Sequence, residues 1–303
     1  MFGSSVSDAV CTMRSSSCTG GIELSSRLQL ETVSNTTTAQ NVSIERRFMV
    51  GRVPADTGVY AGSAADGYLH DVAAMEDPQQ YALDVGARPS AMMVYKVVVT
   101  FIRKIMNPYF KVEVHGQVEN LNVEGPLILA PVHRSNLDSM LVAGASSRRT
   151  RALAKHTMFD KQPFAWLVAS LGAFPVERGT ADREALRAAR MLLDNGEAMF
   201  VFPEGTRQEG QKIGDIYDGV AYLAAKTGAQ VVPVGIAGTG EAMAKGTKFP
   251  KRVKVIMEVG EIMQPPTSSG KRVTVGDRAR FSAELGKVLQ ELMDEACTKQ
   301  AAS

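Results

Sequence analysis

From Pro108 onward the chain alternates short apolar runs with stretches of helical period, and that alternation admits few folds. The apolar runs are Lys111 to Val114, Leu127 to Val132, Ala152 to Ala154, Met199 to Phe202, Val231 to Ile236 and Val253 to Val259. Each is bounded by Gly, Pro or charged residues, as strands are. Pro233 inside its run points to an edge strand or a strand end. Between the runs, Asp182 to Leu193 reads as a helix, with Asp182 placed to cap its start and Gly196 just past its end. Gly219 to Lys226 reads as another. The last helix follows Asp277, where Phe281, Leu285, Val288, Leu289, Leu292 and Met293 recur on one face. Strands separated by helices predict one α/β domain over residues 108–297.

The first ninety residues are different material. They hold six Arg, no Lys and ten acidic residues, whereas the remainder has 28 basic against 22 acidic ones. Ser, Thr, Ala and Gly dominate, as in SSSCTGG at 15–21 and SNTTT at 34–38, and no period of 2 or 3.6 is sustained. Residues 1–90 are therefore expected to be largely disordered. Cys11, Cys18 and Cys297 are odd in number and imply no disulfide framework, which fits a reducing compartment. No apolar run suits a signal peptide or an ordinary membrane span, so the expectation is a cytoplasmic protein.

Residues 91–107 stand apart from both regions. On a helical wheel Lys96, Arg103 and Lys104 cluster, while Val94, Val97, Val98, Phe101, Ile102 and Ile105 take the opposite side. Asn107-Pro108 should end the helix. Such a helix either lies in a membrane interface or packs its apolar face on the domain.

Three stretches carry the ionisable groups that chemistry needs. In LILAPVHRSNLDSM, residues 127–140, a buried strand runs into His133 and Asp138. Five positions apart on one continuous helix, they would point roughly 140° away from each other. His133 must sit in the strand-to-helix turn, with Asp138 rising from the first helical turn toward it. The carboxylate can then fix the imidazole tautomer and leave the other nitrogen as a base. A capping Asp beside a surface His fits the same spacing. In MFVFPEGTRQEG, residues 199–210, a strand delivers Glu204, Gly205, Thr206 and Arg207, with glycine allowing close approach and arginine able to grip a phosphate. A solvated Glu and Arg pair fits it too. In LGAFPVERG, residues 171–179, Arg178 is either a second phosphate clamp or a surface residue beside Glu177. AQVVPVGIAG at 229–238 has no ionisable group and reads as a wall. GxGxxG and GxxxxGK[ST] spacings are absent, so no nucleotide cofactor is indicated. His70, His115 and His156 lack ligand-spaced partners, and no metal site is expected.

HRSNLD, GAFPVER, FPEGTR and VVPVGIAG, in that order from His133 to Gly238, together resemble the glycerophosphate acyltransferase family, the PlsC-like 1-acylglycerol-3-phosphate acyltransferases. The resemblance covers roughly residues 95–265. It implies a single α/β domain with a central mixed sheet flanked by helices. It also implies His133 as general base, Asp138 as its orienting partner, and Arg178, Glu204, Gly205, Thr206 and Arg207 around the acceptor phosphate. The donor would be acyl-CoA or acyl carrier protein, the acceptor lysophosphatidic acid at a membrane surface on the cytoplasmic side, with no metal or cofactor. Two positions depart from the family pattern. Gln208 stands where Ser is common, and Tyr217 where a Lys precedes the glycine at 219. Another lysolipid, glycerol 3-phosphate or a glycolipid therefore stays open as acceptor, as does a non-catalytic lipid-binding module. A serine hydrolase using Ser135 or Ser139 would lack the GxSxG elbow.

Direct transfer suits these residues. An alcohol holds its proton far above neutral pH, so attack on a thioester needs a base within about 3 Å, and imidazole is suited to that task. Backbone N–H groups at the helix start after His133 are the expected oxyanion donors. Two basic clusters, Arg148, Arg149, Arg151 and Lys155, and Lys245, Lys248, Lys251, Arg252 and Lys254, suit an anionic leaflet, the phosphates of CoA or an acidic carrier. A solvated face fits them as well. Nucleic acid fits poorly, since no binding motif accompanies them.

Overall fold

A computed structural model describes residues 77–177, 182–247, 249–267 and 272–302. The seven strands run β1 Glu113–Gly116, β2 Leu127–Pro131, β3 Thr150–Lys155, β4 Ala173–Val176, β5 Ala198–Phe200, β6 Gln230–Ala237 and β7 Ile256–Val259. They form one sheet ordered β1-β7-β6-β2-β5-β3-β4. All neighbours are parallel except β6 and β7, so the sheet is mixed, as expected. β2 lies in the middle and all five of its residues are buried. Parallel neighbours put the C-terminal ends of β2, β5 and β6 on one edge, the usual place for a site in such a sheet.

The helices are α1 Pro78–Ala87, α2 from Pro89, α3 Leu137–Ala145, α4 Phe164–Ser170, α5 Arg183–Asp194, α6 Gly219–Thr227, the short α7 Thr239–Ala242 and α8 Val275–Ala301. Asp182 caps α5 by accepting the Ala185 N–H at 2.9 Å, and Gly196 follows its end at φ 76°. α8 starts earlier than Asp277 suggests. Thr274 is its cap, and Asp277 closes a capping box from the third position. Its buried face, Leu285, Leu289, Met293 and Ala296, covers β6 and β7.

Contact there is so close that Gly235 has no room for a methyl. A Cβ on it would lie 2.5 Å from both the carbonyl carbon and the oxygen of Leu292. Gly235→Ala is expected to cost about 1–3 kcal/mol or more, because backbone rather than a flexible side chain must yield. Thermal unfolding checks it, and an unchanged midpoint would show that α8 can step away freely.

Four expectations need correction. Residues 78–90 are helical, and Ala82 and Val85 of α1 are buried in the core, so the ordered domain reaches into the stretch expected to be disordered. Residues 1–76, with Cys11, Cys18 and His70, lie outside the described residues. α2 passes Asn107-Pro108 by one residue. The helix runs through Phe101, takes a π turn over Ile102–Met106 and closes at Tyr109. β6 is central despite Pro233. Its carbonyl faces β7 and accepts the Gly260 N–H at 2.9 Å, so the missing N–H falls on the side where the ladder breaks between Val259 and Met263. Finally, β4 is a strand, paired with β3 on the far edge.

Candidate active site

β2 ends at Pro131, and two residues later His133 sits in the turn before α3. Its Nδ1 lies 3.0 Å from Oδ2 of Asp138, with both side chains nearly fully buried. A carboxylate only accepts, so Nδ1 carries the proton and Nε2 is left with its lone pair. Nε2 has no protein partner among the described residues. The same Oδ2 accepts the N–H groups of Arg134 and Ser135, both at 2.7 Å, which holds the carboxylate under the ring. The other face of the imidazole stacks on Phe202, with centroids 3.7 Å apart and planes 16° from parallel. The ring is thus fixed by a hydrogen bond at its edge and an aromatic plate against its plane.

The loop after β5 is stapled to this turn at both ends. Oε2 of Glu204 accepts the His133 N–H at 2.9 Å, and the Gln208 N–H donates to the His133 carbonyl at 2.9 Å. Glu204 is fully buried and spends both oxygens internally. Nη1 of Arg134 donates to them at 3.0 and 2.8 Å, and the Gly214 N–H to Oε1 at 2.8 Å. Arg134 is itself 5% exposed and donates further to the carbonyls of His133, Gly210 and Lys212. Its carboxylate partner has no face left for a ligand. The position expected to touch the acceptor phosphate instead holds the His133 turn in place.

Gly205 also serves the loop rather than a ligand. It takes φ 65°, a left-handed backbone that favours glycine, and a Cβ there would meet the Tyr217 ring at 3.2 Å. Thr206 is exposed, and its hydroxyl accepts from the Gln208 amide. Arg207 is unpaired among the described residues. It lines a cavity of about 460 Å³ with Lys245, Ile236, Gly240, Met293 and Cys297. Burial pushes the Cys297 thiol up, away from nucleophilic use. Arg178 lies outside the described residues.

Other expected roles are redistributed. The N–H groups of Arg134, Ser135, Leu137 and Asp138 are all engaged, to Asp138, to the Ser135 hydroxyl and to the Ser135 carbonyl, which leaves the Asn136 N–H as the donor of this turn without a partner among the described residues. Ser135 and Ser139 donate to the carbonyls of Met243 and Asn136, so neither is paired with His133 as a hydrolase nucleophile would be. The first basic cluster is architectural. Arg148 donates to the Val123 and Gly196 carbonyls, Arg149 to those of Gly86 and Ser170, and Arg151 is paired with Glu197 at 2.6 Å. Lys155 alone of that cluster is exposed.

Phe202, Arg134 and the true task of Glu204 are absent from the sequence reading. The phenylalanine was visible as the last residue of an apolar run, but its stacking depends on two neighbouring strands ending level. The Arg134 to Glu204 pair joins positions 70 apart, and no local spacing reveals it.

Residues 111–237, which hold His133, Asp138, Phe202, Glu204 and Arg207, match the profile of the Acyltransferase family. Over 146 residues the chain is 32% identical to the chloroplastic 1-acyl-sn-glycerol-3-phosphate acyltransferase of Arabidopsis thaliana, covering 46% of this chain and 40% of that protein. It is 24% identical over 168 residues to the 1-acyl-sn-glycerol-3-phosphate acyltransferase of Bacillus subtilis (strain 168), covering 55% of this chain and 81% of that protein. Against the chloroplastic relatives the match spans only about two fifths of their length. The fold is shared with the 1-acyl-sn-glycerophosphate (LPA) acyltransferase PlsC of Thermotoga maritima, at a TM-score of 0.57 and 24% sequence identity, over 76% of this chain and 87% of that one.

Proposed function

We propose, from a domain at residues 111–237 that belongs to the acyltransferase family, that the chain moves a fatty acyl group from a thioester to the free hydroxyl of 1-acyl-sn-glycerol 3-phosphate, forming phosphatidic acid. The observation that carries the reading is the His133 to Asp138 pair, which leaves Nε2 as a lone-pair nitrogen. Nε2 takes the proton as the acceptor oxygen attacks the thioester carbonyl. Collapse expels the thiolate of CoA or of an acyl carrier protein, which receives that proton. Atoms and charge balance with neither a metal nor a covalent enzyme intermediate.

Arg207 is the residue proposed to hold the acceptor phosphate, since its guanidinium faces a cavity and is not spent on the fold. Arg207→Ala is expected to raise the KM for a phosphorylated acceptor about tenfold or more while kcat changes little, as loss of a hydrogen bond to a charged group would. Equal loss with a phosphate-free acceptor would remove the assignment. Tyr217, in the place of a lysine, gives a specific reason to offer other acceptors. An equimolar panel of lysophosphatidic acid, lysophosphatidylglycerol, glycerol 3-phosphate and a monoacyl glycolipid, with products read by mass spectrometry, tests the reading. Phosphatidic acid as the main product supports it, and a dominant product from another acceptor replaces it.

The enzyme is proposed to work peripherally on the cytoplasmic face of a membrane. On α2, Ala91, Tyr95, Val99 and Ile102 face the protein, while Met93, Val97, Phe101, Ile105 and Tyr109 stay exposed at four-residue steps. Each such step drifts by ~40° in an α-helix. The wider π turn at Ile102–Met106 takes back part of that rotation, so the stripe stays on one side. Lys96 and Lys104 flank it, whereas Arg103 turns inward and donates to the Gly144 and Ser146 carbonyls at the end of α3. The buried face fits the packing reading of this helix, and the exposed stripe supports the interfacial one. No single helix among the described residues is long and apolar enough to cross a membrane.

A further inference from the structure

We propose that residues 244–247 and 249–252 form a second lipid-contacting element, which docks on an anionic phospholipid surface beside α2 and brings the His133 end of the sheet to the bilayer. The proposal rests on the interfacial reading of α2 and extends it to a part of the chain outside the family match. Phe249 is 84% exposed, more than any other large hydrophobic residue among those described. Nothing in the fold requires a phenyl ring in water. Lys245, Lys251 and Arg252 beside it are exposed, and positions 244–252 contain no acidic residue.

The loop is held rather than loose. The Lys251 N–H donates to the Ala242 carbonyl at 2.7 Å, and the Thr247 N–H and hydroxyl both donate to the Ala244 carbonyl. It is also fastened to the tip of α2, where the Tyr109 hydroxyl donates to the Pro250 carbonyl at 3.4 Å and Nε of Arg252 to the Tyr109 carbonyl at 3.3 Å. Tyr109 is the last member of the exposed stripe and its hydroxyl reaches Pro250, so the exposed Phe249 is the chain neighbour of a residue that the stripe contacts. At its other end the loop meets the catalytic turn, the Ser135 hydroxyl donating to the Met243 carbonyl at 2.9 Å. One stretch of chain thus links the turn that carries His133 to the exposed helix face.

An aromatic ring among lysines and arginines is the composition that settles at a headgroup boundary, ring inward and cations on phosphates. An acidic carrier protein would engage the cations as well. The attachment of the Phe249 loop to the end of α2, which carries five exposed apolar side chains, favours lipid.

The chain has one tryptophan, Trp166, which allows a direct test. In the full-length Trp166→Phe protein, Phe249→Trp and Phe101→Trp are made separately and mixed with vesicles of brominated phosphatidylcholine and phosphatidylglycerol. Quenching of both reporters is the expected result, and Lys251→Glu should lower the vesicle partition coefficient about tenfold. If Phe101→Trp is quenched and Phe249→Trp is not, the loop proposal falls while the interfacial reading of α2 stands. If neither is quenched, both fall. If Phe249→Trp emission instead shifts with protein concentration in the absence of vesicles, the ring meets a second copy of the chain and lipid docking is overturned. An unchanged partition coefficient in Lys251→Glu overturns the anionic preference.

Discussion

Asp138→Asn should reduce kcat by about 10³- to 10⁴-fold with little loss of stability, the scale seen when the aspartate beside a catalytic imidazole becomes asparagine. Three donors converge on Oδ2 of Asp138, the His133 ring and the N–H groups of Arg134 and Ser135. Asparagine can put its oxygen in the place of Oδ2 and keep all three donors. It carries no charge to stabilise the imidazolium that forms as Nε2 takes the proton. The fold survives and the base is weakened. His133→Ala should lose about as much activity, but it also strips a ring from the face of Phe202, so His133→Gln separates chemistry from packing. The measurement is kcat beside thermal unfolding of the same preparations. Near-normal turnover in Asp138→Asn would mean that the carboxylate charge is not what the aspartate supplies.

Glu204→Ala is expected to fail in a different way. Removing this carboxylate leaves the Arg134 guanidinium buried without its counter-charge and orphans the His133 and Gly214 N–H groups. Breaking one side of a buried pair costs about 3–5 kcal/mol. At this chain length that corresponds to a fall of roughly 10 °C in the unfolding midpoint. Activity should fall with the fold, and the KM for the acceptor should not single it out. Arg207→Ala should show the opposite pattern, a shifted KM on an unchanged midpoint. If Glu204→Ala melts normally and binds acceptor poorly, the buried clamp is the wrong account and a direct phosphate role is restored.

The contrast between these two residues shows what the sequence could and could not convey. His133 and Asp138 were legible because five positions and a strand-to-helix turn fix their meeting locally. Asp182 and Gly196 were legible for the same reason, each acting within a residue or two of a helix end. Glu204 and Arg207 share one short loop and read alike as polar residues after a strand. Only the position of Arg134 across the sheet edge makes one structural and leaves the other open to a cavity. Arg103, Arg148, Arg149 and Arg151 were legible as charge but not as caps and braces, because their partners, carbonyls for the first three and the Glu197 carboxylate for Arg151, lie on distant elements. Pro233 read as an edge signal, since the broken ladder that accommodates it is supplied by residues 260–263.

The most direct test of the central claim follows thiol release from a long-chain acyl-CoA by the unaltered protein, with and without lysophosphatidic acid. Release that depends on the acceptor, matches phosphatidic acid formed one for one and disappears in Asp138→Asn is the predicted result. Release that runs as fast without acceptor, or persists undiminished in Asp138→Asn, would contradict a base at His133 that activates the lipid hydroxyl.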